Sequence, residues 1–355
     1  MFSPARYREI EVAGTPRDMG RQIGEAAREE IRGFSEAAWQ HIDKTLRMSR
    51  ERALAIAAAA IPFAEQYSPG MVDELRGMAE ATGMKLEDLM LLQVRNQLRP
   101  EPEGGCTSLA MAGRGSVRRG SLVAQNWDND PTLDPFTVVL SRRPAGKPAV
   151  LNLTQAGLIA YIGFNEAGIG VCLNSLPAPT RSQGVPHYFT VRGIYEADSL
   201  EGAVDSVRRA RRVIPANIML TTPEGPADLE VTIDDVHVLQ NADAGGIAHT
   251  NHCLHPALQP TNEQFPELIQ SHARQERIDS LLDFSGGHRP SVPDIQAALR
   301  DHQGYPHSIC RHANDDPATG GWRTVFSVII EPSERRMHVS RGTPCDHGYE
   351  VYQLA

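Results

Sequence analysis

The sequence lacks any apolar run long enough to cross a membrane. A spanning helix needs about 18 or more consecutive apolar residues, and the longest apolar stretch here, near residues 53–60, sits among charges at helical spacing. The opening residues, MFSPARYREIEV, contain no apolar core of the kind that a secretory signal needs. We therefore expect no membrane partner and no secretory signal.

Basic residues are outnumbered by acidic ones. Lysine occurs only at positions 44, 85 and 147, and 35 Lys plus Arg stand against 44 Asp plus Glu, for a net charge of -9. A surface of that sign repels phosphate backbones, so we expect no nucleic-acid partner. The rest of the composition, 41% hydrophobic and 22% charged, is typical of a soluble globular protein with one large domain or two ordinary ones.

Cysteine is also sparse, and no CxxC pair is present. The five cysteines are odd in number and widely spaced: Cys106, Cys172, Cys253, Cys310 and Cys345. This pattern favours reduced thiols in a cytoplasmic protein over a disulfide framework. One of these thiols is then free to be kept for its reactivity.

Two catalytic patterns are absent or incomplete. No G-x-S-x-G elbow occurs, which disfavours a serine hydrolase. The run His249, His252, Cys253 and His255 has the residue types of a zinc site, but it lacks a distant matching pair, and ligands so close on one strand would point to opposite faces. We expect these histidines to flank a site instead, and we predict no metal and no cofactor.

The hydrophobic pattern predicts helices first and strands afterwards. The first hundred residues follow helical spacing, for example Met19, Ile23 and Ile31 behind the start signal Thr15-Pro16. Beyond residue 106, short alternating runs between turn residues indicate antiparallel hairpins. Helices over about 189–213, 263–282 and 292–302, and a final hairpin, complete an α+β arrangement of layers.

The helical and strand regions meet at a joint that ends in Gly105 and Cys106. Residues 99–105, RPEPEGG, combine prolines, acids and glycines and indicate an exposed, flexible link. A thiol can attack the carbonyl before it, and Gly105 has no side chain to obstruct that attack. The product would be a cysteine whose free α-amine, with a pKa of about 8, can take the thiol proton itself. The alternative is a buried structural thiol that begins a core strand.

Short segments over almost the whole chain resemble one protein family. In chain order they are Gly14 with Met19-Gly20-Arg21-Gln22-Ile23-Gly24, Glu74-Leu75-Arg76-Gly77-Met78-Ala79-Glu80, Gly105-Cys106-Thr107-Ser108, Gln125-Asn126-Trp127-Asp128, Gly163-Phe164-Asn165-Glu166-Ala167-Gly168-Ile169-Gly170, Leu173-Asn174, His249-Thr250-Asn251-His252, Ser308-Ile309-Cys310-Arg311 and Gly342-Thr343-Pro344-Cys345. Their order and spacing are similar to those of the acyl-coenzyme A:6-aminopenicillanic acid acyltransferase (isopenicillin N acyltransferase) family, a branch of the N-terminal nucleophile hydrolases.

The resemblance implies a fold and a processing event. The fold would be a four-layer αββα sandwich of the N-terminal nucleophile hydrolase type, with a helical N-terminal prosegment. The chain would cleave itself between Gly105 and Cys106. Residues 1–105 would then remain as a small subunit, and residues 106–355 would form the catalytic large subunit.

The resemblance also implies roles for polar residues around Cys106. Asp128 would hydrogen-bond near the new α-amine and set its protonation; the alternative is a residue of the turn that follows it. Asn251 would donate a side-chain N–H to the oxyanion of the tetrahedral intermediate. Asn174 is a candidate for the same hole or for substrate contact. Both asparagines have the alternative role of capping a strand end.

A positive charge near the nucleophile completes the implied site. Arg311, with Ser308, would sit close to Cys106 and favour its thiolate; the alternative is a surface arginine in an Arg- and Asp-rich segment. Related bile-salt hydrolase-like enzymes have an arginine where this chain has Gln125. The electrostatics around the amine are therefore expected to differ from theirs.

Together these inferences predict a cysteine enzyme that is activated by its own cleavage. The donor would be a small-molecule acyl amide, with an acyl-coenzyme A as the alternative, and Cys106 would carry the acyl group. Water would resolve this acyl-enzyme in an amidase, which we favour because water is the default acceptor. An amine would resolve it in an N-acyltransferase. A catalytically silent binding protein on the same fold is the alternative from another class, and no substrate-binding residues are identified.

Overall fold

The computed structural model of the chain describes residues 5–98, 105–112, 120–240, 245–282, 284, 290–317 and 319–355. Its strands, numbered in chain order, form two sheets that face each other. The eight-stranded sheet has the spatial order β1 (Arg8–Gly14), β4 (Thr137–Pro144), β5 (Val150–Gln155), β6 (Ile162–Asn165), β7 (Gly170–Asn174), β8 (Ala216–Thr222), β9 (Gly225–Val231) and β10 (Val236–Leu239). The six-stranded sheet has the order β11 (Gly246–His249), β2 (Thr107–Met111), β3 (Leu122–Asn129), β12 (Arg323–Glu331), β13 (Arg336–Arg341) and β14 (Tyr349–Gln353).

Helices cover the outer faces of both sheets. Five precede Cys106 within the described residues: α1 (Pro16–Ala26), α2 (Arg28–Leu46), α3 (Arg50–Tyr67), α4 (Pro69–Thr82) and α5 (Leu86–Val94). Four follow it: α6 (His187–Ile194), α7 (Leu200–Arg208), α8 (Ser271–Leu282) and α9 (Val292–Leu299). Helices α1, α2 and α7 contact the eight-stranded sheet, and α8 and α9 contact the six-stranded sheet. The predicted four-layer αββα sandwich is therefore confirmed. Among the helices that the structure describes, none is long and apolar enough to span a membrane.

A separate apolar core holds α8 and α9 against the six-stranded sheet. Leu109, Ala124 and Ile329 of the sheet pack with Ile278 of α8 and Leu299 of α9. Full burial of each leucine or isoleucine side chain contributes roughly 2 kcal/mol. Because residues four apart share one face of a helix, the burial of Ile278 also directs residue 274 of α8 towards β2. This packing positions part of the site described below.

The prediction of an all-helical first hundred residues is wrong at Arg8–Gly14, which forms β1. Ile10 and Val12 are buried and alternate with exposed Glu9 and Glu11, which is the period of a strand. The strand runs parallel to β4, with Ile10 paired to Leu140. The N-terminal segment thus extends the eight-stranded sheet as well as supplying helices.

The single helix predicted over 189–213 is two helices, α6 and α7. The break falls at residues 195–199, where Ser199 accepts a hydrogen bond from the backbone N–H of Gly202 and so caps α7. An N-cap serine satisfies a free backbone donor only where a new helix starts. The helix predicted over 263–282 begins later, at Ser271.

Candidate active site

Strand register brings Cys106 and Asn251 together. Cys106 immediately precedes β2, and Asn251 follows β11 by two residues. Strands β11 and β2 are antiparallel, with His249 paired to Ser108, so two further steps along each chain set Asn251 beside Cys106. The backbone N–H of Cys106 donates to Oδ1 of Asn251 at 2.9 Å. The contact that the structure makes is therefore through the amide oxygen of Asn251.

Arg274 of α8 binds the backbone of the same residue through its carbonyl group. Its Nη1 donates to the carbonyl oxygen of Cys106 at 2.7 Å and to Oγ1 of Thr107 at 3.0 Å. Its Nη2 donates to Oδ1 of Asn251 at 2.8 Å. Arg274 is only 2% exposed, so these bonds act in a medium of low dielectric constant, where they are strong. Sequence reasoning missed this residue, and its only signal is its helical spacing from the buried Ile278.

The thiol of Cys106 is held in its neutral form. Burial, together with the charge of Asp128, raises the pKa of Cys106 to about 12. A hydrogen bond from the Asp128 backbone, the Arg274 charge and the Gln125 side chain oppose this rise and are too weak to reverse it. Because only the thiolate is strongly nucleophilic, Cys106 needs a base close by before it can attack a carbonyl.

Asp128 lies at the end of β3 beside the thiol, and it is fully buried. Burial raises the pKa of Asp128 to about 7, and Arg274 and a hydrogen bond from Thr324 limit that rise. Oγ1 of Thr324 donates to Oδ1 of Asp128 at 2.7 Å, while Oδ2 has no hydrogen-bond partner among the described residues. A buried carboxyl that titrates near neutral pH can take or give a proton at working pH.

Arg311 and Ser308 form hydrogen bonds with residues other than Cys106. Arg311 is fully buried, which excludes the alternative of a surface arginine. Its guanidinium donates to the carbonyl oxygens of Trp322 and Thr319 at 3.2 Å each, and Oγ of Ser308 donates to the carbonyl of Cys310 at 2.7 Å. The arginine that contacts the Cys106 backbone is Arg274. The positive charge of Arg311 instead lowers the pKa of Asp128. Direct support of the thiolate by Arg311 and Ser308 stays a prediction.

The two predicted oxyanion donors are both engaged in hydrogen bonds. Nδ2 of Asn251 donates to the carbonyl oxygen of Ser175 at 2.9 Å. Nδ2 of Asn174 donates to Oγ of Ser108 at 2.8 Å and to the carbonyl of His249 at 2.9 Å, and its Oδ1 accepts from Gln125 at 2.9 Å. An oxyanion role for Asn251 therefore depends on the second N–H of Nδ2, and it stays a prediction.

Gly105 is tightly enclosed by Ile269. A side chain at position 105 would place its Cβ 2.9 Å from Cδ1 and 3.0 Å from Cβ of Ile269, closer than carbon atoms pack. Ile269 and the next residue, Gln270, both have left-handed backbone angles, φ 50 and 48, which is a costly conformation for a β-branched residue. The surrounding fold thus holds a strained segment directly against the bond before Cys106.

A narrow cleft opens beside Cys106. Its walls combine aromatic rings with several polar side chains, which are the groups that orient a small-molecule ligand. They include Arg95, Asn96, Trp127, Tyr161, Leu173, Asn174, Ser175, His187 and Tyr188. The Trp127 indole donates to the hydroxyl of Tyr161 at 2.7 Å, which fixes two of these rings relative to each other.

The cluster of histidines near Asn251 takes part in other contacts. His249 bonds Glu230 through Nε2 and the carbonyl of Thr250 through Nδ1, each at 2.9 Å. The nearby carboxylates raise the pKa of His249 although burial opposes them. His252 contacts Ser271 at 2.8 Å. Within the described part of the chain, these residues do not form a metal-binding group, and they support the backbone around Asn251 instead.

Comparisons with known proteins identify relatives of this chain. The family model described as acyl-coenzyme A:6-aminopenicillanic acid acyl-transferase matches residues 117–346. The 40 kDa form of acyl-coenzyme A:6-aminopenicillanic-acid-acyltransferase from Emericella nidulans is 26% identical over 339 residues, which cover 93% of this chain and 91% of that protein.

Two solved structures are similar in part. The Caenorhabditis elegans ortholog of N-acylethanolamine-hydrolyzing acid amidase has a TM-score of 0.46 and 15% identity, covering 70% of this chain and 100% of that one. Penicillin V acylase from Agrobacterium tumefaciens has a TM-score of 0.47 and 11% identity, covering 66% and 83%. Because the family model spans more than half of its length, this chain belongs to the acyl-coenzyme A:6-aminopenicillanic acid acyl-transferase family.

Proposed function

We propose that this chain is a cysteine N-terminal nucleophile enzyme, which cleaves its own Gly105–Cys106 bond and then carries acyl groups on Cys106. One observation supports this above all others. Asn251 holds the N–H of Cys106 and Arg274 holds its carbonyl, while Cys106 itself lines an aromatic cleft. A structural thiol at the start of a core strand would need neither a buried arginine on its backbone nor a cleft beside it.

The self-cleavage begins with attack of the Cys106 sulfur on the carbonyl carbon of Gly105. A carbon–sulfur bond forms, the bond from that carbon to the Cys106 nitrogen breaks, and the thiol proton passes to the departing nitrogen. Water then hydrolyses the thioester, which frees the thiol and the Gly105 carboxylate. Asp128, which titrates near neutral pH, is the buried group best suited to relay the proton.

In turnover the freed α-amine takes the place of an external base. It accepts the Cys106 thiol proton as the sulfur attacks the acyl carbonyl, and it returns the proton to the leaving group. We assign stabilisation of the oxyanion to Nδ2 of Asn251, with Asn174 next to it. Arg274 remains bound to the Cys106 carbonyl throughout and keeps the nucleophile in place.

The cleaved prosegment, residues 1–105, is proposed to stay bound as a small subunit. Strand β1 pairs with β4 along its whole length. Glu74 of α4 binds Arg142 of β4 at 2.9 Å and lies 3.5 Å from Arg192 of α6, and all three side chains are buried. Separation of the two parts would leave buried charges without their partners, which is strongly unfavourable.

Amide hydrolysis is the reaction that we favour, because water is the default acceptor. The aromatic walls of the cleft suit an apolar acyl group, and the Arg95 guanidinium among them suits a polar or anionic substituent on it. Acyl transfer is the second candidate, because the relative from Emericella nidulans is an acyltransferase. A binding protein without activity is the third candidate.

The experiment that tests this proposal is intact-mass analysis of the purified chain, followed by an activity screen. Cleavage predicts fragments of roughly 11.5 kDa and roughly 27 kDa by length scaling. Acyl amides would be screened for released amine, and an acyl-coenzyme A with 6-aminopenicillanic acid would be screened for transfer. Amine release without transfer supports the amidase, and transfer supports the alternative.

Cys106→Ala is the decisive variant, with Cys253→Ala as a matched control because Cys253 is also a buried free thiol. Cys106→Ala should remain full-length and inactive, whereas Cys253→Ala should be cleaved as the unaltered protein is. A correctly folded preparation that stays full-length, or an active Cys106→Ala protein, would refute the proposal. Cleavage without turnover on any acyl donor would favour the silent binding protein.

A further inference from the structure

Four side chains of the types that bind metal ions meet beside Arg311. They are His302, Cys310, His312 and Cys345, and their ligand atoms all lie within 4.8 Å of one another. None of them lines the cleft beside Cys106. The proposed acyl chemistry makes no use of these residues.

Four of the six distances between the ligand atoms match the edges of a tetrahedron, and the other two are no longer than 4.8 Å. The Sγ atoms of Cys310 and Cys345 are 3.6 Å apart, and Nε2 of His302 and His312 are 3.1 Å apart. Nε2 of His312 is 3.7 Å from Sγ of Cys310 and 3.5 Å from Sγ of Cys345. A tetrahedral zinc with ordinary Zn–S and Zn–N bonds has edges of roughly 3.8, 3.3 and 3.5 Å for these three kinds of pair.

Two separate loops bring these residues together. His302, Cys310 and His312 lie between α9 and β12, and Cys345 lies between β13 and β14. The first loop is folded on itself, because the N–H of Cys310 donates to the Asp301 carbonyl at 3.0 Å and that of His312 to the Pro306 carbonyl at 3.1 Å. Nε of Arg300 donates to the carbonyl of Pro344 at 2.8 Å, which ties the first loop to the second.

We propose that His302, Cys310, His312 and Cys345 bind one Zn²⁺ ion in a closed structural site. Two thiolates and two imidazoles are a preferred zinc ligand set, and four protein ligands leave no position for a catalytic water. Two thiolates also balance the charge of the ion. The ring of Tyr305 lies 5.2 Å from that of His312 and 6.2 Å from that of His302, so it shields the two imidazoles on one side.

A disulfide between Cys310 and Cys345 is the competing interpretation. The sulfur atoms are 3.6 Å apart, well beyond the roughly 2.05 Å of a disulfide bond. A disulfide would also leave unexplained why Nε2 of His312 lies within 3.7 Å of both sulfur atoms, with Nε2 of His302 3.1 Å from it. The geometry favours an ion at the centre of the four atoms over a bond between two of them.

The zinc site would also fix the position of the residues that bind Asp128. Cys310 and His312 flank Arg311, whose backbone N–H donates to Oγ1 of Thr324 at 3.0 Å. That hydroxyl in turn donates to Asp128 at 2.7 Å. An ion that fixes both neighbours of Arg311 therefore fixes a two-bond path to the carboxyl beside the thiol.

Metal analysis of the purified full-length protein tests this inference. The protein, produced with zinc in the medium and without an affinity tag that binds metal, should contain one zinc per chain after dialysis. Cys310→Ser and Cys345→Ser should each lower the retained zinc at least tenfold, and Cys253→Ser should retain it. Replacement by Co²⁺ should give the visible absorption of a tetrahedral thiolate site, which the two serine variants lose.

Two further measurements decide the cases in which a cysteine variant does not fold. His302 is exposed, so His302→Ala should fold and should hold zinc more weakly than the unaltered protein in a chelator titration. Cys106→Ala should retain one zinc per chain, which keeps this result independent of the proposed function. Native protein without stoichiometric zinc, or with a Cys310–Cys345 disulfide found by mass spectrometry under non-reducing conditions, would overturn the inference.

Discussion

Arg274 and Asn251 share a hydrogen bond of 2.8 Å, and each also binds the backbone of Cys106. Oδ1 of Asn251 accepts from both the Arg274 guanidinium and the Cys106 N–H, so it connects the two side chains that bind the Cys106 backbone. The arrangement comes from two different elements, because Asn251 follows a strand and Arg274 lies on a helix. The nucleophile is thus fixed before any bond is broken, which is the condition for an efficient intramolecular attack.

Arg274→Lys should slow both self-cleavage and turnover, by about 10²-fold or more. A lysine keeps the charge, but its single nitrogen cannot reproduce three hydrogen bonds in the planar geometry of a guanidinium. Cleavage would be followed by intact mass over time. The matched control is Arg277→Lys on the same helix, whose ion pair with Asp301 lies near the surface. Equal cleavage rates for the two variants would contradict this role of Arg274.

Replacements of Asn251 should separate its two proposed roles. Asn251→Asp keeps an oxygen that accepts from the Cys106 N–H, yet it loses the Nδ2 donor assigned to the oxyanion. We expect this variant to cleave itself, and to lose about 10²–10³-fold in turnover. Asn251→Ala should impair both steps. If Asn251→Asp turns over acyl substrates at the normal rate, the oxyanion assignment is wrong.

The raised pKa of Asp128 predicts how stability depends on pH. The folded protein binds the Asp128 proton more tightly than the unfolded chain, since its pKa is about 7 against a reference value of 3.8. The stabilisation is therefore complete below about pH 4 and is lost as pH rises through 7, by a few kcal/mol in all. Denaturant unfolding of Cys106→Ala and Cys106→Ala/Asp128→Asn, at several pH values, measures it.

In that pair of proteins the difference in unfolding free energy should change steadily between pH 4 and 8, in favour of the asparagine variant. Asp228, which burial also gives a raised pKa of about 6, contributes equally to both proteins and cancels. A constant difference across that range would mean that Asp128 does not titrate there.

Glu74→Ala should destabilise the protein strongly, by about 3–5 kcal/mol, because it leaves the guanidinium of Arg142 buried without its carboxylate. Glu80 is the matched control on the same helix. It pairs with Arg17 and Arg21 at the surface, so Glu80→Ala should change thermal unfolding little. Similar losses for the two variants would indicate that the Glu74 pair is not specially important.

The layered fold could be predicted from the sequence, because strand alternation and helical spacing are local patterns. Strand β1 was missed since only Ile10 and Val12 carry its alternation, and such a short signal is easily outweighed by the helices that follow. The long helix predicted over 189–213 failed because its hydrophobic spacing continues through the cap at Ser199. The first error omits a whole strand and the second omits a break between two helices, and hydrophobic spacing alone marks neither.

The site was predictable only as far as motifs and family resemblance reached. Cys106, Asp128 and Asn251 lie close together, but the helical spacing of Arg274 from Ile278 is too weak a signal to distinguish it from Arg277 on the same helix. Their difference arises from which face of α8 packs on the sheet. Cys310 and Cys345, 35 positions apart, meet only because the loop between α9 and β12 folds against the loop between β13 and β14.

Strand β1 also has a consequence for solubility. It forms the border of the eight-stranded sheet, and its outward residues Arg8, Glu9 and Glu11 are charged and exposed. Charged residues on an edge strand discourage that strand from pairing with the sheet of another molecule. Without β1, the mostly buried β4 would become the edge strand of the sheet. Two such molecules would then be prone to pair through their β4 strands. Strand β1 therefore protects the edge of the sheet from pairing with a second copy of the chain.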